Sequence, residues 1–186
     1  MDILDEVIED SFHRLIQPSI EREVRAALTE TSDVHAIEIF ASNLKSLLLQ
    51  PPYSEKMIMG IDPGFYSGSK VAIIDTTAKY LEGMTIYPHP PQNKKVEAAK
   101  VVKQFIDKYK VEIIAIGNGT ASRETEFFIA EIIKENNLSC RYVIVNEAGA
   151  SVYSASNIAQ KEFPELEASQ RGNISIARRL LDPLAE

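Results

Sequence analysis

The order of short apolar segments after Pro51-Pro52 constrains the fold more than any other feature. Five β-rich runs follow the two prolines, at residues 56–61, 70–75, 80–86, 111–116 and 141–145. Short connections separate the first three runs, one containing Gly64 and Gly68 and the other a turn at 76–78, which predicts an antiparallel meander. Helical patterns separate the later runs. The sequence therefore predicts a sheet that mixes antiparallel and parallel pairing.

The helical patterns between and after these runs predict the topology. Apolar residues recur at helical spacing over 96–109 and 122–136, and two further helices are expected near 154–163 and 173–186. Crossover helices of this length force parallel pairing, and right-handed crossovers leave few arrangements. The predicted fold class is α/β, with a ribonuclease H-like five-stranded mixed sheet and flanking helices.

An all-α segment is expected ahead of the sheet. Three amphipathic helices, each with one buried stripe, are predicted over 2–17, 18–29 and 34–48, the third capped by Thr31-Ser32-Asp33. The two prolines mark a linker. We therefore expect a helical lead-in over 1–52 and an α/β domain over 56–186. The ending at 182–186 without a glycine stop signal suggests a piece of a larger protein.

Charge and cysteine content limit the classes of function. The 20 basic and 27 acidic residues give a net charge of −7, which opposes tight attraction to a phosphate backbone. The single cysteine, Cys140, excludes an internal disulfide, and no Cys/His spacing fits zinc. The acidic, amphipathic start and the absence of a long apolar run argue against secretion and membrane insertion. A cytoplasmic location is expected.

Three acidic residues are candidates for a metal-dependent catalytic site. Asp62 follows the first strand and precedes Pro63-Gly64, Glu147 follows the fifth strand, and Asp182 lies on the last helix. Two-metal phosphodiester hydrolysis needs such carboxylates, and we expect the three to converge at the carboxyl end of the sheet. Each has a structural alternative: Asp62 as a turn residue, Glu147 as a helix-dipole partner and Asp182 as a solvated position.

Two further segments are candidates for binding a phosphate or a nucleic acid. Small and hydroxyl residues precede the helix at 122, where backbone N–H groups can receive a phosphate oxygen: Gly117, Asn118, Gly119, Thr120 and Ser122. Any helix start needs similar residues, so a purely structural role stays open. The last helix supplies Arg178 and Arg179, with Arg171 one turn or more before them. An ordinary charged helix surface is the alternative.

Several segments of the sequence resemble a known family. The blocks are PSIEREVRAALTE, GIDPGFYSG, IYPHPPQ, IAIGNGTASRETE, VNEAGASVYSAS and SIARRLLDPLAE, in this order along nearly the whole chain. They resemble the YqgF-type domain, and the helices before it, of the Tex family of bacterial transcription accessory proteins. The resemblance implies a larger cytoplasmic nucleic-acid-binding protein, with helix-hairpin-helix elements and an S1 RNA-binding domain outside this chain.

The resemblance also implies a site and a partner. YqgF domains look like the Holliday-junction resolvase RuvC, whose first-strand aspartate matches Asp62 and whose last-helix acids correspond approximately to Asp182. The implied metal is Mg²⁺ or Mn²⁺, and the implied partners are nucleic acid and the transcription machinery. The sequence departs from the resolvase pattern after the fourth strand, where Asn118 stands near the expected carboxylate. Glu147 could compensate, because YqgF relatives carry an acid after the fifth strand.

Three functions compete at this point. The first is a scaffold or nucleic-acid-interaction module of a transcription accessory protein, with a degenerate nuclease site; the net acidity and Asn118 favour it. The second is an active metal-dependent nuclease on structured DNA or RNA, with Asp62, Glu147 and Asp182 as ligands. The third is one lobe of an actin-like ATPase, which would require a second comparable lobe. Whether the chain is an enzyme depends on the choice between them.

Overall fold

The computed structural model describes residues 3–184. The chain divides into two compact units, with the boundary between Leu49 and Gln50. None of the helices in the described range is long and apolar enough to cross a membrane. Each unit has its own architecture.

The first unit is helical from end to end. Helix α1 (Ile3–Ser11) continues through a π-helical turn (Phe12–Ile16) into α2 (Gln17–Leu48), which is 32 residues long. The prediction of three separate helices is wrong, because Thr31 does not act as a cap: its hydroxyl donates to the carbonyl of Ala27 one turn earlier. None of the described residues in these elements is buried, so the predicted buried stripe is exposed.

The second unit is built on a five-stranded sheet. Its strands are β1 (Ile58–Asp62), β2 (Ser69–Ile74), β3 (Tyr80–Ile86), β4 (Ile113–Gly117) and β5 (Arg141–Val145). They lie in the order β3-β2-β1-β4-β5. The first three strands pair antiparallel, and β4 and β5 extend the sheet in parallel with β1. The predicted fold class is confirmed.

Helices cover both faces of the sheet. Helices α3 (Lys95–Tyr109) and α4 (Ser122–Glu135) form the crossovers and bury Val102, Phe105 and Ile129 against one face. Helix α7 (Ala168–Leu181) packs on the other face. The alternation of side chains along each strand supplies both cores. At Gly60, a side chain would collide with the α7 backbone, so the glycine permits a close approach of helix and strand.

The helices after β5 differ from the prediction in their bounds. The expected helix at 154–163 is two short helices, α5 (Ala150–Ala155) and α6 (Asn157–Glu162), joined at Ser156, whose side chain caps α6. Helix α7 begins at Ala168, five residues before the expected start. Because of this earlier start, the part of α7 beside the carboxyl end of β1 includes residues that were predicted to precede the helix.

Candidate functional site

Asp62 is the last residue of β1, as the sequence predicted. Its antiparallel partner in β2 is Lys70. Partial burial of the Asp62 carboxyl raises its pKa, the charge of Lys70 opposes that rise, and the neighbouring Glu147 adds to it. The side chain therefore lies in a partly desolvated position beside a second carboxylate.

Glu147 lies in the loop between β5 and α5, with its carboxylate against the backbone of the turn after β4. A Cβ at Gly117 or Gly119 would overlap the carboxylate oxygens of Glu147. Its Oε2 is buried and has no hydrogen-bond partner among the described residues. An acidic oxygen in that condition is costly unless a cation, a proton or a water molecule satisfies it.

A small cavity of about 70 Å³ connects the two carboxylates. Its remaining wall comes from α5 and α7. Three serines are among the lining residues: Asp62, Glu147, Ala150, Ser151, Ser154, Ala168, Ser169, Gly172 and Ile176. The volume suits a few water molecules or an ion with its water ligands rather than an organic ligand. The structure thus brings Asp62 and Glu147 together.

The side-chain amide oxygen of Asn118 forms a hydrogen bond with the loop that carries Glu147. The Oδ1 of Asn118 accepts the backbone N–H of Glu147 at 3.1 Å, and the N–H of Asn118 donates to the carbonyl of Val145 at 3.0 Å. These two bonds fasten the end of β5 to the turn after β4. The Asn118 side chain is therefore used to position the Glu147 backbone.

Asp182 does not join the two carboxylates, and the expected convergence of three acids is wrong. Asp182 follows the last residue of α7, six positions beyond Ile176, the last residue of α7 that lines the cavity, which corresponds to about 9 Å along a helix. Its Oδ1 accepts the N–H of Leu184. Arg178, four residues before Asp182, donates to the carbonyl of Ala78 in the β2–β3 turn. This turn lies at the opposite end of the strands from Asp62. Within residues 3–184, no group of three or more His, Cys, Asp or Glu side chains is placed to hold a metal ion.

The arginines of α7 are engaged in internal contacts. Arg178 forms an ion pair with Glu162 at 2.6 Å, and Arg179 donates to the carbonyl of Asn146 at 2.6 Å. Arg171 is buried and donates to three carbonyl groups, those of Ser154, Phe163 and Leu166. These contacts tie α7 to α5, α6 and the β5–α5 loop. The basic surface predicted on this helix is thus occupied by the protein itself.

The turn from Gly117 to Ser122 is where the sequence placed it, at the start of α4. Thr120 is exposed, and a solvent-open depression beside it is lined by Asn118, Gly119, Ser122, Arg123, Glu124 and Glu126. The two glutamates in this lining outnumber Arg123, and the resulting negative charge opposes binding of an anion. A phosphate-binding role for this turn stays a prediction.

The chemistry of the donor set fits one hard cation better than two. Carboxylate and hydroxyl oxygens are the ligands that Mg²⁺ and Mn²⁺ prefer, and the buried Glu147 Oε2 lacks any other partner. A two-ion centre shares more carboxylates than the pair found here. If an ion binds, Asp62 and Glu147 would hold it, and it would supply Lewis-acid polarisation of a phosphate oxygen.

Sequence reasoning missed several residues around the pair. Lys70 stands beside Asp62, and Ser169 and Gly172 of α7 occupy the wall of the cavity where the expected Asp182 is absent. The register of the first hairpin could have revealed Lys70. No sequence signal identified the start of α7 at Ala168, which depends on packing.

The comparison with protein families agrees with this architecture. The model of the Tex protein YqgF-like domain matches residues 56–181. The chain belongs to this Tex YqgF-like family. The protein YdcI of Bacillus subtilis is 56% identical over 185 residues, which cover 100% of this chain and 26% of that protein. Protein tex of Bordetella pertussis is 45% identical over 98% of this chain and 23% of its own length.

A human relative extends the family beyond bacteria. S1 RNA-binding domain-containing protein 1 of Homo sapiens is 44% identical over 189 residues, which cover 100% of this chain and 19% of that protein. The chain therefore spans about a quarter or less of the length of these curated relatives.

Solved structures of resolvases show lower similarity. RuvC of Thermus thermophilus in complex with a Holliday junction substrate covers 65% of this chain and 90% of its own, with 12% identity and a TM-score of 0.45. The Fowlpox virus resolvase in complex with Holliday junction DNA covers 67% and 93%, with 14% identity and a TM-score of 0.43. Similarity of this degree carries no conclusion about activity.

Proposed function

We propose that the chain is a nucleic-acid-associated module of a transcription accessory protein, acting as a scaffold with a degenerate nuclease site. One observation supports this proposal most directly. Two carboxylates meet at the carboxyl ends of the strands, whereas the third candidate, Asp182, lies at the other end of α7. Two acids hold a second ion poorly, and the two-ion mechanism depends on that ion.

The relatives' names support the biological setting of the proposal. One relative is called transcriptional accessory protein Tex, and another is called an S1 RNA-binding domain-containing protein. We infer a cytoplasmic protein whose partners are nucleic acid and the transcription machinery. We further propose that residues 1–52 form a helical lead-in and that residues 56–186 form the YqgF domain of a longer protein.

A cleavage assay tests the scaffold proposal. The 186-residue chain is incubated with branched DNA, duplex DNA and RNA in Mg²⁺ or Mn²⁺, and Asp62→Asn is the control for a contaminating nuclease. We expect no turnover above the Asp62→Asn background, because Asp62 and Glu147 are only two carboxylates and hold a second ion poorly. Metal-dependent cleavage that disappears in Asp62→Asn would disprove the scaffold reading.

The alternative is an active metal-dependent nuclease on structured DNA or RNA. The buried, unpartnered Oε2 of Glu147 beside Asp62 favours it, because the site has an unmet demand for positive charge. If the chain is an active nuclease, Asn118→Asp should increase turnover. The aspartate keeps an acceptor for the backbone N–H of Glu147 and adds a negative charge. No turnover in either form supports the scaffold.

A further inference from the structure

The basic residues of this acidic chain are concentrated on α3. Half of the chain's 12 lysines lie within the 17 residues 94–110, where they outnumber acidic residues by six to two in a chain of net charge −7: Lys94, Lys95, Lys100, Lys103, Lys108 and Lys110. All six are exposed. Since the arginines of α7 are engaged internally, α3 carries the densest accessible positive charge in the described chain.

These lysines are available to an external partner. Lys94, Lys95 and Lys108 form exposed ion pairs with Glu97, Glu131 and Glu82, respectively. Exposed pairs of this kind are worth about 0–1 kcal/mol and exchange readily with a competing anion. Lys100 and Lys110 have no ion-pair partner in the described part of the chain. Lys103 donates to the amide oxygen of Asn136 and forms no ion pair among the described residues, although Glu131 and Glu135 line the same groove.

An exposed aromatic side chain lies next to the start of α3. Tyr66 is 83% exposed and lies in the loop between β1 and β2, four residues after Asp62. Its carbonyl accepts the side-chain N–H of Gln92 at 3.0 Å, two residues before Lys94. The Tyr66 backbone therefore lies beside the residues that lead into α3. We call the exposed Tyr66 ring and the exposed lysines of α3 together the Tyr66–α3 surface.

The loop that carries Tyr66 is fastened at several points. The ring of Phe65 packs edge-on against His89, with ring centroids 5.9 Å apart, and buried His89 bonds Thr125 of α4 at 2.9 Å. Gly68 has a φ of +73° and lies directly on Thr85 and Tyr87, where any side chain would collide. The phenol ring is thus presented to solvent by an ordered backbone, so that stacking on it costs little conformational entropy.

We propose that the Tyr66–α3 surface binds single-stranded nucleic acid, with an unpaired base stacked on Tyr66 and phosphates bound by Lys100 and Lys103. This inference rests on the proposed nucleic-acid association and adds where and in which form the nucleic acid binds. An exposed aromatic ring beside a basic stripe is how proteins bind single strands with little sequence preference. Duplex DNA keeps its bases stacked inside and offers Tyr66 no partner.

The test measures binding of the whole chain to fluorescent 15-mer oligo-dT and oligo-U by anisotropy, from low to physiological salt. A matched abasic oligomer separates stacking from charge. We expect Tyr66→Ala to weaken binding of the base-containing oligomers about tenfold or more, and Tyr66→Phe to restore it to within about twofold, since a phenyl ring also stacks. The abasic oligomer should bind equally to all three forms.

The lysines are tested by a charge-matched pair of variants. Lys100→Ala/Lys103→Ala should reduce the salt slope of log K by about 1.4, because each phosphate contact to a single strand contributes about 0.7. The control Lys79→Ala/Lys161→Ala removes the same charge from exposed positions on other elements and should leave the slope unchanged within error.

The outcomes separate this inference from the broader proposal. One outcome is that the chain binds nucleic acid but the Tyr66 and α3 variants bind as the control does. The Tyr66–α3 surface is then not the binding surface, whereas the proposed nucleic-acid association stands. Preference for duplex over single strands would also overturn it. If no oligomer binds even at low salt, both the inference and the proposed association fail.

Discussion

At the level of single residues, the carboxylate of Glu147 occupies the space that side chains at positions 117 and 119 would fill. We expect Gly119→Ala to displace that carboxylate but to destabilise the domain by no more than about 1 kcal/mol, because the colliding atoms are the end of a flexible side chain. Differential scanning calorimetry measures the change, and crystallography or NMR reports the position of Glu147.

The matched control is Gly172→Ala on α7. A Cβ there meets its nearest neighbours at 3.6 Å, an ordinary contact. Since alanine is the better helix former, this variant should be more stable than the parent by about 0.5–1 kcal/mol. Equal destabilisation by both variants would show that the glycines matter for the backbone rather than for Glu147.

Asp62 gives a prediction about pH. Burial raises the pKa of its carboxyl in the folded state, so the folded protein holds this proton more tightly than the unfolded chain does. The resulting stability is present below the unfolded value of 3.8 and is lost as the pH rises through the raised folded value. Asp62→Asn should therefore increase the free energy of unfolding at pH 7, and the gain should shrink toward pH 4. A gain that is independent of pH would contradict this reading.

At the level of elements, α7 joins the parts of the second unit. Arg178 contacts Glu162 of α6 and the carbonyl of Ala78, and its side chain is only 15% exposed. We expect Arg178→Ala to destabilise the domain by about 1–3 kcal/mol, because it leaves a carboxylate and a carbonyl without their donor. Arg123→Ala, at an exposed position on α4, is the control and should change stability by less than about 0.5 kcal/mol.

The same helix marks the limit of sequence-based prediction. The five strands were predicted to within about two residues, because each is a short apolar run bounded by turn residues. The positions of Asp62 at the end of β1 and of Glu147 after β5 were predicted because each comes after an apolar run, whereas their role as a catalytic site stays a prediction. Asp182 was misplaced because the beginning of α7, and not its end, lies beside the carboxyl end of β1, and the sequence does not specify the direction in which the helix crosses the sheet. The side-chain oxygen of Asn118 points toward the backbone N–H of Glu147, and no sequence pattern specifies that orientation.

At the level of the whole molecule, the two units differ in their buried apolar surface. The second unit has cores on both faces of its sheet, whereas none of the described residues of α1, the π-helical turn and α2 is buried. We expect residues 50–186 alone to unfold cooperatively. Residues 1–49 alone should show partial helicity that melts gradually, as isolated helices do. Circular dichroism against temperature distinguishes the two, and a sharp transition in the 1–49 peptide would contradict the expectation.

The glycines beneath Glu147 have an evolutionary consequence. A lineage that retains Glu147 cannot acquire side chains at 117 or 119 without displacing its carboxylate. A lineage that shortens or loses Glu147 leaves space there, which larger residues at 117 and 119 would then fill. We therefore expect positions 117, 119 and 147 to vary together among homologues. A shared loss of the glycines and the glutamate would date the point at which a branch of the family abandoned the acidic cavity.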